Sequence, residues 1–202
     1  MTKRADRPIR ADARRNRERL LATASRLFAD AGTDVSLAAV AKAAGVGIGT
    51  VYRHFPTHDA LVEAVYRNEA EQLCARGEEL LRTQPADVAL EQWLGGFVDY
   101  AATKRGMADA LRSFVASGSE IFAEARRQIV GTLTTLLEAG AAAGTIRPDV
   151  TADDVIGATA SIFYMPDQPG QGRRVLALVM DGLRHGATGV AAAPATASAP
   201  PT

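Results

Sequence analysis

The sequence predicts an all-α fold of about nine helices, a small N-terminal head joined to a larger helical body. Three observations carry this. Apolar residues recur at i, i+3, i+4 and i+7 along most of the chain, strand-like alternation never lasts beyond a few residues, and capping residues stand where the apolar stripes begin and end. No internal repeat of fixed period is present.

Leu20, Leu21, Ala24, Leu27 and Phe28 place a first helix from about Asp12 to Ala31, which Gly32 ends as a C-terminal cap; residues 1–11 read as a flexible basic arm. Ser36 is the N-cap of a short helix, Leu37 to Ala44, and Gly45 supplies the positive φ that stops it. A third short helix opens near Gly47, takes its apolar side from Ile48, Val51, Tyr52 and Phe55, and cannot continue through Pro56.

Thr57 caps a fourth helix running to about Arg82, with Leu61, Val65, Leu73, Leu80 and Leu81 as its stripe. Unbroken for ~26 residues it spans about 39 Å, the length of a connecting helix. Pro85 introduces a fifth helix to about Thr103, and amphipathic segments follow at about Met107–Ser117 and Glu120–Ala143, split at Ser117–Ser119. Thr151 and Asp154 have the spacing of a capping box before a helix to about Tyr164. Met165–Gly172 reads as a loop, Arg173–Gly186 as the last helix, and 187–202, rich in Pro, Ala, Ser and Thr, as a disordered tail.

The composition fits a soluble chain of one large domain, or a small one fused to a larger: 202 residues, 47% hydrophobic and 23% charged. No run of eighteen apolar residues exists to span a bilayer, and the basic start lacks the apolar segment of a secretory signal, so a cytoplasmic protein without membrane partners is expected. The single cysteine, Cys74, has no internal disulfide partner and reads as packing. Net charge is zero, but unevenly spread. Residues 1–68 hold twelve Lys or Arg against seven Asp or Glu, a balance of +5, and the remainder holds eleven against sixteen, a balance of −5. A basic head on an acidic body suits a protein that meets a polyanion with one part only.

The stretch GVGIGTVYRHF, Gly45 to Phe55, is not a nucleotide loop. It follows a helix rather than a strand, position 50 is Thr where a dinucleotide fingerprint needs Gly, and no Gly-Lys-Ser/Thr is present. Two short helices joined by a glycine turn instead match a helix-turn-helix. Val40, Ala41, Val46 and Val51 hold that pair together. Phe55 reads as core, while for Tyr52 both burial of the ring and phosphate contact by its hydroxyl stay open.

SLAAVAKAAGVGIGTVYRHF, Ser36 to Phe55, followed by PTHDAL, resembles the Tet repressor (TetR) family of bacterial transcriptional regulators, over about residues 14–73. The resemblance implies a DNA-binding domain at 12–73, a ligand-binding and dimerisation body at 74–186, and a homodimeric repressor released from a palindromic double-stranded DNA operator by a small-molecule effector. It implies that Gly49, Thr50 and Arg53 approach bases while Ser36, Tyr52 and His54 meet phosphates, with Arg14, Arg15 and Arg17 neutralising others. His58 stands where family members often carry Lys, and Gly47 and Ile48 where they are often polar.

In the body, Trp93, Phe97, Tyr100, Met107, Phe114, Phe122, Phe163 and Tyr164 either line an effector cavity or pack as ordinary core. Val155, Ile156, Thr159, Ile162 and Phe163, with Leu176, Val179, Met180 and Leu183, offer more apolar surface than one body need cover, which makes the last two helices the dimer candidates. His54 and His58 have zinc-compatible spacing, but His185 and Cys74 are too remote to complete a site, so neither metal nor cofactor is expected. No Ser-His-Asp, Cys-His or paired-carboxylate constellation supports an enzyme. The alternative to a regulator is a helical-bundle binding protein or cryptic enzyme whose head merely packs.

Overall fold

The computed structural model describes residues 6–107, 111–112, 120–164 and 170–185. Eight helices run through them: α1 (Asp6–Ala31), α2 (Leu37–Ala44), α3 (Ile48–His54), α4 (His58–Thr83), α5 (Ala86–Gly106), α6 (Ile121–Ala142), α7 (Ala152–Tyr164) and α8 (Gln171–His185). The segment expected near 107–117 falls mostly outside the described residues, as do the tail and most of the 165–172 loop.

Local chemistry sets most boundaries. Gly32 and Gly45 adopt φ of 72° and 66°, the left-handed geometry that ends α1 and α2. Ser36 Oγ accepts from the Ala39 N–H at 3.1 Å, and Thr57 Oγ1 from the Ala60 N–H at 3.1 Å, capping α2 and α4. Before α7 the reciprocal pair forms: Thr151 Oγ1 accepts from the Asp154 N–H at 3.2 Å while Asp154 Oδ2 accepts from the Thr151 N–H at 2.8 Å. The N-terminus differs from expectation. α1 begins at Asp6 rather than Asp12, with Pro8 in its first turn, where a missing N–H leaves no helical hydrogen bond unmade.

α1 packs on both α4 and α5, and α4, α5 and α6 pack against one another as the bundle of the body. α7 and α8 pair and lean on α5. Leu20, Leu21, Phe28, Val40, Val51, Phe55 and Leu61 are buried in the head, and Leu90, Trp93, Leu94, Leu133 and Leu136 in the body. Polar ties fix the outer helices. Arg184 on α8 pairs with Glu91 at 2.7 Å and Asp87 at 3.2 Å on α5, and Arg126 on α6 pairs with Asp153 on α7 at 2.6 Å.

Candidate nucleic-acid interface

The glycine turn sets the geometry of the head. Gly45 and Val46 turn their N–H groups back to Lys42 and Ala41 at 3.2 and 3.0 Å, so the chain reverses at once and Gly47 can open α3. Val51 and Phe55 drop into the core, which orients every other residue of the short helix. Gly47, Ile48, Gly49, Tyr52 and Arg53 are exposed, Thr50 and His54 half-buried. Tyr52 is 53% exposed, so its ring is not core. Among the described residues Arg53 has no ion-pair partner, and its side chain is exposed.

The three arginines of α1 are not equivalent. Arg14 pairs with Glu18 at 3.4 Å and Arg15 with Asp12, so each carries a neutralising acid on its own helix. Arg17 has no acidic partner among the described residues; its guanidinium lies over the Phe55 ring, 5.7 Å from the centroid, beside the end of α3. Spacing alone did not separate these three. His58 stands apart from the other predicted contacts. Its ring packs edge-on against Phe28, centroids 6.0 Å apart, and Nε2 is buried without a hydrogen-bond partner. Only Nδ1, 3.9 Å from Asp59 Oδ1, faces outward, so His58 belongs to the packing of α4 on α1. Lys42, an exposed cation in the last turn of α2, belongs to the same Ser36–Phe55 stretch, but no sequence pattern singled it out.

Among the described residues of the body, the predicted aromatic side chains pack against one another. Trp93 and Phe97 stack at 5.8 Å, Phe97 and Tyr100 at 6.0 Å, and Tyr66 joins Tyr100 at 6.1 Å to Phe122 at 5.0 Å. Met107 is also buried. Burial pushes the phenols of Tyr66 and Tyr100 above the ordinary tyrosine range, and their hydroxyls hydrogen bond to each other. Phe114 lies outside the described residues, and so do the side chains of Phe163 and Tyr164. A groove of about 710 Å³ opens between α4, α5 and α8, and of the described predicted aromatics only Tyr100 reaches it. Its polar lining had no signal in the sequence, because it joins three distant segments.

Most of the dimer candidates pack within their own chain. Val155, Thr159, Leu176, Met180 and Leu183 are buried within a single chain, and Ile156 and Val179 are half-buried. The side chains of Ile162 and Phe163 lie outside the described residues. The predicted stripe therefore fastens α7 and α8 to the bundle, and what it leaves outward is Leu178, 72% exposed, beside exposed Gly182 and, on α7, Gly157.

A helix pair with one edge locked into a core and the other open, seated on a helical bundle, defines the class of helix-turn-helix DNA-binding regulators. Residues 20–65 match the family described as bacterial regulatory proteins, tetR family, and residues 84–185 match the C-terminal domain of SbtR-like transcriptional regulators. The crystal structure of the TetR transcriptional regulator SCO0520 from Streptomyces coelicolor aligns with a TM-score of 0.77 at 48% identity, over 83% of this chain and 98% of that one. A TetR transcription regulatory protein from Mycobacterium vanbaalenii aligns at 0.73 and 36% identity, over 88% and 99% of the two chains. The chain belongs to the TetR family of DNA-binding transcriptional regulators. The HTH-type transcriptional regulator SAR0097 of Staphylococcus aureus is 35% identical over 75 residues, 36% of this chain and 39% of that protein. The chain thus spans well under half the length of that relative. No helix among the described residues is long and apolar enough to cross a membrane.

Proposed function

We propose that two copies of this chain bind one palindromic duplex and repress transcription until a small molecule occupies the body. The observation that carries the reading is the open edge of α3: Gly47, Ile48, Gly49, Tyr52 and Arg53 are exposed while Val51 and Phe55 anchor the opposite edge. Bare glycine backbone lets a groove wall approach closely, Arg53 offers a forked donor to guanine O6 and N7, and Tyr52, Ser36 and His54 offer polar groups to flanking phosphates. Unpaired Arg17 adds charge at the end of the same helix; Arg14 and Arg15 contribute once their acids exchange for phosphate. The two-fold axis passes through the outward face of α7 and α8 around Leu178, and two heads about 34–36 Å apart read successive major grooves. An effector releases DNA if it binds better to a state in which α4 carries the heads to another separation.

Selection of a duplex from a random pool, followed by fluorescence anisotropy, tests the reading. Wild-type protein is expected to bind as two chains per duplex, and Arg53→Ala to lose about 5- to 150-fold in affinity, the counterpart of about 1–3 kcal/mol, with an unchanged melting temperature. Wild-type affinity and salt dependence in that variant would refute the assignment.

A further inference from the structure

Gly95 and Gly96 lie in mid-course of α5, where each glycine costs about 1 kcal/mol of helix stability relative to alanine. Neither has a positive φ. At Gly96 a β-carbon would meet Leu73 Cδ1 at 3.5 Å and Arg76 Cδ at 3.9 Å, ordinary contact, and at Gly95 it would meet nothing within 4 Å. Neither backbone geometry nor packing therefore demands glycine at 95. The two residues instead line the groove of about 710 Å³ between α4, α5 and α8, where a larger side chain would take up its space.

The groove is charged in a particular way. Arg76, Arg173 and Asp99 line it, and among the described residues none of the three side chains has an ion-pair partner. Glu69 lines it too; burial lifts its carboxyl above the ordinary range, and a hydrogen bond from Ser25 of α1 partly offsets this. At the other side Glu91 is already committed to Arg184. The helices also order these charges. The Trp93 indole N–H donates to the Leu73 carbonyl and the Tyr100 ring lies against that of Tyr66, so α4 and α5 run antiparallel and Glu69 lies level with the Asp99–Tyr100 end. Arg76 stands two helical turns further along α4, about 10 Å away.

We infer that this groove binds a short zwitterionic peptide, its ammonium at Glu69 and Asp99 and its carboxylate at Arg76, with Arg173 flanking the chain. An extended tripeptide spans about 10 Å, the separation of the two charged ends, whereas a free amino acid does not. The volume falls within the range of small-ligand sites. The inference rests on the reading of the body as a regulatory domain and names its ligand class. Glu69 makes the groove's acidic end the part that touches the head, because its other partner, Ser25, belongs to α1.

The probe is trialanine, titrated calorimetrically into the full chain without DNA. Saturable binding is expected, weakened about tenfold or more when the N-terminus is acetylated or the C-terminus amidated, since each removes one charge-assisted contact. Gly95→Trp should abolish binding while leaving the circular-dichroism melt intact, and Arg76→Gln should weaken free trialanine about tenfold while leaving the amidated peptide unaffected. Absence of saturable binding, equal binding of blocked and free peptides, or wild-type affinity in a folded Gly95→Trp protein would each overturn the inference. Because these measurements contain no DNA, their failure leaves the Arg53 test of operator binding standing, and failure of that test leaves peptide binding intact.

Discussion

Ile146 seats its side chain on Gly140: a β-carbon at 140 would stand 2.4 Å from Ile146 Cγ1 and 2.9 Å from its Cβ. The N–H groups of Thr145 and Ile146 both return to the Gly140 carbonyl, at 3.0 and 3.2 Å, and the Arg147 N–H reaches the Leu183 carbonyl at 2.9 Å. This turn thus closes α6 and ties it to α8. Gly140→Ala is expected to destabilise the chain by about 1–3 kcal/mol, because a methyl group there displaces a buried isoleucine held by three backbone bonds. Gly131→Ala, on the same helix but in open space, is expected to stabilise it by up to about 1 kcal/mol. Urea unfolding of both variants checks the pair; the same sign for both would show that space does not govern these glycines.

Ser36 caps α2 and is proposed to meet phosphate, and one substitution separates the two roles. Its hydroxyl caps α2, and aspartate caps as well as serine while favouring the positive end of the helix dipole. Ser36→Asp should therefore hold stability within about 0.5 kcal/mol of wild type, whereas Ser36→Ala should lose about 1 kcal/mol. A carboxylate facing phosphate should at the same time weaken duplex binding in anisotropy titrations. Undiminished binding would place Ser36 away from the DNA backbone.

Leu178 is the large apolar side chain that α8 turns outward. If two chains meet there, Leu178→Glu buries a charge at the centre of the contact and should weaken association about thirtyfold, from about 2 kcal/mol. Light scattering behind a sizing column reads this directly, with helicity unchanged. A dimer that survives the substitution would move the two-fold axis elsewhere.

Glu69 makes a pH-dependent contribution whose sign follows from its burial. An acid with a raised value in the folded chain binds more protons folded than unfolded, so its contribution is most favourable below the ordinary carboxylate range and declines as pH rises through the raised value. Glu69→Gln should accordingly be more stable than wild type at about pH 7, with the gap closing toward about pH 4. Denaturant midpoints at the two pH values test it, and a wild type more stable than the variant at neutrality would contradict it. Such a cost fits a residue kept for binding rather than for folding.

Apart from the start of α1, the boundaries of the described helices and the helix-turn-helix were legible in the sequence by itself. Ser36, Gly45, Pro56, Thr57, Thr151 and Asp154 act on backbone groups within a few positions of themselves, so each cap works wherever its helix is later placed. The open edge of α3 was legible only in part: Val51 and Phe55 fix the rotation of this short helix as expected, but Ile48 and Tyr52, read as part of its apolar side, are 42% and 53% exposed. Tertiary structure alone decided the rest. Which of Arg14, Arg15 and Arg17 stays unpaired, whether Leu176 and Met180 face their own bundle or another chain, and that the aromatic residues stack while a charged groove opens beside Gly95 all depend on surfaces brought together from far along the chain. Periodicity says that a helix face is buried; only packing says against what.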